Sequence, residues 1–161
     1  MTRKLDWRMR LGRLASPVLH RYRQVVRGLT LGVRAAVIDE AGRVFLVKHS
    51  YVPGWYLPGG GVEPGESALD ALARELKEEG NIEIEAAPEL FGFYFNPKES
   101  LRDHIAFYVV RRWRQPAPPQ PGLEIVAHRF AAPDDLPDNA TAATRRRCAE
   151  LFRGAPRAPL W

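Results

Sequence analysis

The chain has 161 residues, of which 45% are hydrophobic and 27% are charged, and this profile fits one globular domain with a packed core. It disfavours a disordered, a collagen-like or a coiled-coil chain. The single cysteine, Cys148, excludes an intramolecular disulfide and has no partners at zinc-ligand spacing, which favours a reducing compartment.

The formal net charge of +5 is concentrated near the N-terminus. Residues 1–27 hold eight basic residues and one acidic residue, a charge of +7, which leaves −2 for the rest of the chain. The basic isoelectric point therefore describes this segment, and we expect no specific nucleic-acid binding. No pattern of a secretory signal or of a membrane-spanning run is found, so a cytoplasmic location is expected.

Residues 1–28 are predicted to form a basic amphipathic arm, because apolar residues recur among the arginines at mostly helical spacing. Such an arm can contact an anionic membrane or a polyphosphate-bearing partner, or it can pack on the domain or on a second subunit. We favour packing, which makes a homodimer possible, over membrane contact. We also expect the arm to be separable from the chemistry.

From residue 29 to residue 155 the pattern predicts one mixed α+β or α/β domain, followed by a short tail over 156–161. The first two strands flank a turn at 39–42 and predict a β-hairpin. Asp138 and Asn139 are candidate caps of the second helix. The predicted strands are 29–38, 44–47, 89–95, 104–110 and 123–130, and the predicted helices are 67–79 and about 140–152.

Three glutamates share one face of the first predicted helix. At about 100° per residue around the helix axis, Glu79 lies about 40° from Glu75 on one side. Glu78 lies about 60° from Glu75 on the other side. Neighbouring carboxylates repel one another, so a cation such as Mg²⁺ or Mn²⁺ would stabilise them. A solvated acidic face is the alternative. The adjacent face is expected to be apolar and buried through Leu69, Leu72 and Leu76.

The residues around this helix resemble the Nudix box, which here spans 23 residues. The hairpin and the approach from Trp55 to Gly60 are also similar to that family. Asn81 stands at the late glycine of the pattern, and because Asn tolerates a left-handed helix C-cap, we expect the turn to survive. The matching positions are Gly60, Glu66, Arg74, Glu75, Leu76, Glu78, Glu79 and Ile82.

The resemblance implies an α/β/α sandwich with a mixed sheet and hydrolysis of a diphosphate linked to another moiety, with Mg²⁺ or Mn²⁺. It implies that Glu75, Glu78 and Glu79 bind the metal, with activity depending on Glu78 and Glu79. The carbonyl of Gly60 would join these ligands. Glu66 and Arg74 would hold the loop against the helix.

The general base is expected from outside the box or from a box glutamate. We prefer Glu124, which lies near the place where related enzymes carry such a glutamate, and Glu99 is the other candidate. The family resemblance makes the substrate a nucleoside diphosphate linked to another moiety, such as a nucleotide sugar or ADP-ribose. The alternatives are a nucleoside triphosphate pyrophosphohydrolase and a non-catalytic module that senses a nucleotide.

Substrate contacts are expected from Trp55 and Tyr56, whose rings can stack on a base, and from Pro97. Pro97 follows Ile82 by 15 residues and resembles a proline of ADP-ribose-cleaving members. His104 is the histidine expected near substrate, with the other three structural or exposed. Further aromatic candidates are Tyr51, Tyr94 and Phe95.

Overall fold

The computed structural model describes residues 28–120 and 122–161, so the predicted arm lies outside the described residues except for Gly28. Within the described residues no helix is long and apolar enough to cross a membrane. The elements are β1 (Thr30–Val37), β2 (Val44–His49), α1 (Ala68–Gly80), β3 (Glu83–Ile84), β4 (Glu89–Phe95), β5 (Asp103–Val110), β6 (Trp113–Arg114), β7 (Ile125–Ala131) and α2 (Ala142–Arg153).

The main sheet has the strand order β1-β5-β4. It is mixed, because β1 pairs with β5 in parallel and β4 pairs with β5 in antiparallel. Two smaller antiparallel pairs join β2 to β7 and β3 to β6. The loop 58–62 runs along the free edge of β1, where the N–H of Val33 donates to the Gly60 carbonyl at 2.8 Å. This pairing fixes the loop that carries the first box residue.

The two helices cover opposite faces of the main sheet. Side chains alternate along β1, so that Val33 packs in one core cluster with Leu72 and Leu76 of α1. Ala36 points to the other face and packs in a second cluster with Cys148 of α2. The predicted sandwich with a mixed sheet is thereby confirmed. The expected apolar face of α1 includes Leu72 and Leu76, whereas Leu69 is half exposed.

The predicted hairpin between β1 and β2 is wrong. The turn itself forms, with the N–H of Gly42 donating to the Asp39 carbonyl at 3.0 Å. Beyond one bridge between Ile38 and Val44, however, the two strands join different sheets. The reason is burial, because Val33 and Val37 of β1 have no exposed surface and a strand covered in this way needs long-range neighbours.

Helix α1 has a capping residue at each end, of which the sequence analysis anticipated Asn81. The side chain of Ser67 accepts from the N–H of Asp70 at 3.2 Å. Asn81 adopts the left-handed conformation, with φ 49° and ψ 36°, so the departure from glycine preserves the turn. For α2 the candidate caps Asp138 and Asn139 are wrong. Thr141 caps this helix instead, because the preceding residues form a turn in which the N–H of Ala140 donates to the Pro137 carbonyl.

The segment over 156–161 lies against β4. The N–H of Phe95 donates to the Pro159 carbonyl at 3.0 Å, and the N–H of Trp161 donates to the Phe95 carbonyl at 2.8 Å. Arg147 of α2, which is fully buried, donates to the Leu160 carbonyl at 3.1 Å. These bonds anchor the segment on the α2 side of the sheet.

Candidate active site

A cleft of ≈ 1210 Å³ lies between the loop 58–62, the start of β1 and the glutamate face of α1. Several residues singled out from the sequence line it together, although they are far apart in the chain. They are Gly60, Glu75, Glu79, Glu99, Glu124, Tyr51 and Tyr56. The fold therefore brings both candidate bases to the same cleft as two of the three box glutamates.

Glu79 is the buried carboxylate of the cleft, with 5% of its surface exposed. Its Oε2 atom accepts a hydrogen bond from the N–H of Gly59 at 2.7 Å, and its Oε1 atom lies 3.6 Å from Nε2 of His49. Burial raises the pKa of Glu79 to about 7, although the Gly59 hydrogen bond and the charge of Arg34 oppose this rise. A cation in the cleft would favour its charged form.

Gly60 and Glu75 are in direct contact at the wall of the cleft. A Cβ atom at Gly60 would collide with the Glu75 carboxylate, so the position accepts only glycine without a shift of that side chain. The Gly60 carbonyl accepts one hydrogen bond from Val33, and a carbonyl oxygen has a second lone pair. A main-chain oxygen thus lies beside a carboxylate at the edge of the cleft.

Arg74 ties the glycine loop to α1. It donates from Nε to Glu66 Oε1 at 2.9 Å, from Nη2 to the Gly61 carbonyl at 3.0 Å and from Nη1 to Glu75 Oε1 at 2.7 Å. The hydrogen bond from Arg74 also lowers the pKa of Glu66. Glu78 lies at the rim, 3.5 Å from the same arginine, with 60% of its side chain exposed, and it is not among the cleft-lining residues.

The donor set of this cleft suits a hard divalent cation. Carboxylate and carbonyl oxygens are the ligands that Mg²⁺ and Mn²⁺ prefer, and Glu75, Glu79, Glu124 and the Gly60 carbonyl supply them. Among residues 28–120 and 122–161, no three His, Cys, Asp or Glu side chains are already arranged as a metal-binding group. The carboxylates are paired with Arg74 and Gly59 instead, so a metal would exchange these pairings for its own.

Glu124 stands at the mouth of the cleft, immediately before β7. Its backbone carbonyl accepts from the N–H of Ser50 at 2.8 Å, and its Oε1 atom accepts from the Tyr51 hydroxyl at 3.2 Å. Its side chain is exposed, as is that of Glu99 in the turn after β4. Glu124 is therefore fixed at its backbone and held at its carboxylate, whereas no such side-chain contact is seen for Glu99 among the described residues.

Of the expected substrate contacts, Tyr56 lines the cleft but Trp55 and Pro97 do not. Trp55 packs in the second core cluster, because the chain there turns toward α2. Its backbone N–H donates to the Asn139 carbonyl. Pro97 is exposed in the turn after β4. The cleft thus supports the expected substrate contact of Tyr56, while the expected contacts of Trp55 and Pro97 stay predictions.

Of the remaining aromatic candidates, Tyr51 lines the cleft, whereas Tyr94, Phe95 and the expected histidine, His104, do not. Tyr94 is buried on the α2 side, where its hydroxyl donates to Glu150 Oε2 at 2.9 Å, and Phe95 does not line the cleft. His104 stacks on Phe93 with ring centroids 5.3 Å apart and also lies outside the cleft. Because Phe95 pairs with His104 across β4 and β5, His104 lies on the face of the sheet opposite that of Tyr94.

His49 and Arg34 are cleft residues that the sequence analysis missed. The ring of His49 lies 5.2 Å from that of Tyr51 and 5.5 Å from that of Tyr56, and burial lowers the pKa of this histidine. Arg34 is half-buried within β1. The available signal was its position, because a lone charge within the apolar run of 29–38 is unusual in a buried strand.

Comparison with known proteins gives consistent matches. A family model described as the NUDIX domain matches residues 28–152. A Bacillus subtilis relative named as an 8-oxo-dGTP diphosphatase is 32% identical over 126 residues, which cover 78% of this chain and 82% of that protein. The crystal structure of a MutT NUDIX hydrolase from Burkholderia pseudomallei has a TM-score of 0.64 at 29% identity, covering 76% of this chain and 98% of that one. An ADP-ribose pyrophosphatase structure from Streptococcus suis has a TM-score of 0.56 at 29% identity, covering 80% and 96%.

Proposed function

This chain belongs to the NUDIX hydrolase family, and from that premise we propose that it hydrolyses the pyrophosphate bond of a nucleoside diphosphate linked to another moiety. The observation that carries the proposal is Glu79, a buried carboxylate in an open cleft beside Glu75 and the Gly60 carbonyl. Burying such a group costs free energy unless a cation accompanies it. Family members use divalent metals, and we propose Mg²⁺ or Mn²⁺ here.

Glu75, Glu79 and the Gly60 carbonyl are the groups that would hold the metal, with Glu78 joining from the rim. When bound, a divalent ion neutralises the diphosphate and makes water a better nucleophile. The contacts of Arg74 with Glu66 and the Gly61 carbonyl hold the glycine loop against α1. These contacts support the proposed role of Arg74 as a residue that positions the site.

In the proposed reaction a water oxygen attacks one phosphorus atom of the diphosphate. A new P–O bond forms while the bond to the bridging oxygen breaks, and that oxygen leaves on the second phosphate. The water proton passes to Glu124, whose carboxylate faces the cleft and is held by the Tyr51 hydroxyl. Glu124 then returns the proton to solvent, so one water is consumed and two phosphate-bearing products leave.

A nucleoside triphosphate is the second candidate substrate class. It is favoured by the Bacillus subtilis relative, whose name specifies 8-oxo-dGTP and whose match extends over most of both chains. The chemistry of the step is the same, because both substrates contain a diphosphate bridge. In this case the products are a nucleoside monophosphate and pyrophosphate.

A product assay separates these possibilities. The full chain is incubated with Mg²⁺ or Mn²⁺ and a panel of ADP-ribose, nucleotide sugars and nucleoside triphosphates that includes 8-oxo-dGTP, with EDTA as the control. Metal-dependent release of a nucleoside monophosphate with a phosphorylated second moiety supports the first candidate. Release of pyrophosphate supports the second. Tight nucleotide binding with no hydrolysis of any compound would identify a sensing module and contradict the proposal.

A further inference from the structure

Arg34 is a half-buried, positively charged residue in β1, where the neighbouring side chains are apolar and buried. Its neighbours Val33 and Ala35 have no exposed surface, while the Arg34 side chain lines the cleft. A charged side chain in such a strand carries a desolvation cost that an apolar residue would avoid. Core packing therefore gives no reason for an arginine at this position.

Within the part of the chain that the structure describes, the guanidinium of Arg34 forms no salt bridge with a carboxylate. Its nearest hydrogen bond is a long one, 3.4 Å from Nη1 to the carbonyl of Val33. Among the described residues no carboxylate lies within 4.0 Å of its nitrogens, although Glu79 and Glu124 line the same cleft. An arginine carries five N–H donors in a planar fork, and over residues 28–120 and 122–161 the bond to Val33 is the one side-chain hydrogen bond seen for Arg34.

The charge of Arg34 nevertheless reaches the centre of the cleft. It partly offsets the rise that burial causes in the pKa of Glu79, and after burial it is the next cause of the lowered pKa of His49. The guanidinium thus lies near the groups proposed to hold metal and water without forming a salt bridge with them. The position is also rigid, because β1 is paired with β5 along its whole length.

We propose that Arg34 binds the non-bridging oxygens of a substrate phosphate and positions the diphosphate against the carboxylate side of the cleft. The fork of a guanidinium matches two phosphate oxygens at once, and charge-assisted hydrogen bonds of this kind are the strong ones. In this arrangement one phosphate lies between the arginine and the metal-holding glutamates. The inference rests on the proposed function, because it assigns a positioning residue for the diphosphate of that reaction.

The test uses methylenediphosphonate, a diphosphate analogue that cannot be hydrolysed at its bridge. Its affinity is measured by calorimetry in Mg²⁺ for the full chain and for Arg34→Met and Arg34→Lys. Arg129→Met is the matched control, because it removes the same charge as Arg34→Met. Arg129 is exposed on β7 and lies outside the cleft. Mn²⁺ affinity and thermal melting are measured for every variant, and nucleotide turnover by the unmodified chain is recorded in parallel.

We expect Arg34→Met to weaken analogue binding by about tenfold to a hundredfold, with partial rescue in Arg34→Lys and no change in Arg129→Met. Mn²⁺ affinity should be unchanged in all variants. Unchanged analogue binding in folded Arg34→Met would overturn the inference, as would a matching loss of Mn²⁺ affinity. If analogue binding depends on Arg34 but the unmodified chain hydrolyses no nucleotide, the phosphate contact is supported and the proposed function is contradicted.

Discussion

Replacing Glu79 by Gln should make the metal-free protein more stable while it removes activity. The amide keeps the length of the side chain and an oxygen that can accept the hydrogen bond from the Gly59 N–H. It lacks the charge that burial disfavours. The same substitution therefore separates what this residue contributes to stability from what it contributes to chemistry.

The size of the stability gain follows from the pKa of Glu79. Because burial raises this pKa from 4.5 to about 7, the native state holds the proton more tightly than the unfolded state. The resulting stabilisation is fully present below pH 4.5 and is lost as pH rises through 7. Each pKa unit corresponds to about 1.4 kcal/mol, so ionised Glu79 costs the native state about 3 kcal/mol at pH 8. For a chain of this length that is about 6–12 °C in melting temperature.

The assay is thermal unfolding of both proteins in EDTA between pH 4.5 and pH 8.5. We expect Glu79→Gln to melt above the unmodified chain at pH 8 and the two to converge at the acid end. Added Mg²⁺ should raise the melting temperature of the unmodified chain more than that of the variant. Glu78→Gln is the control, because that exposed carboxylate makes no such contribution. Equal or lower melting of Glu79→Gln at pH 8 would refute the reasoning from burial.

Three further predictions concern activity. Glu78→Gln should lower kcat by about 10²–10³ if this glutamate joins the metal ligands, and near-full rates in a steady-state assay would remove it from the set. Glu124→Gln should lower kcat by about 10²–10⁴ with little change in Mn²⁺ affinity, whereas Glu99→Gln does little; the reverse result would transfer the role of base to Glu99. Deleting residues 1–27 should leave turnover intact while mass in solution or binding to anionic vesicles changes, and lost turnover in a folded truncation would show that the arm completes the site.

Local patterns predicted the elements of this fold well but not the partners of its strands. Helix α1 and the left-handed Asn81 follow from residues within a few positions of one another. The pairing of β1 with β5 joins residues more than 70 positions apart. A good turn signal at 39–42 favoured a hairpin, but the burial of both faces of β1 decided the outcome.

The same distinction explains the candidate site. The spacing of the box placed Glu75 and Glu79 on one helix face, and both line the cleft. Which histidine lies near these two glutamates depends instead on long-range folding, because the end of β2 and the loop 50–56 must reach the same cleft. His49 therefore lies in the cleft, whereas His104 stacks on Phe93 outside it. Trp55 lies outside the cleft for a related reason, because its neighbourhood is set by contact with the segment before α2.

The central claim is that the cleft carboxylates hold a divalent metal, and Mn²⁺ titration followed by electron paramagnetic resonance tests it most directly. The titration compares the unmodified chain with Glu79→Gln and with Glu99→Gln, which changes a carboxylate of the same cleft outside the box. We predict that the unmodified chain and Glu99→Gln bind Mn²⁺ alike, and that Glu79→Gln binds more than about tenfold more weakly. Equal Mn²⁺ affinity in folded Glu79→Gln would contradict the account.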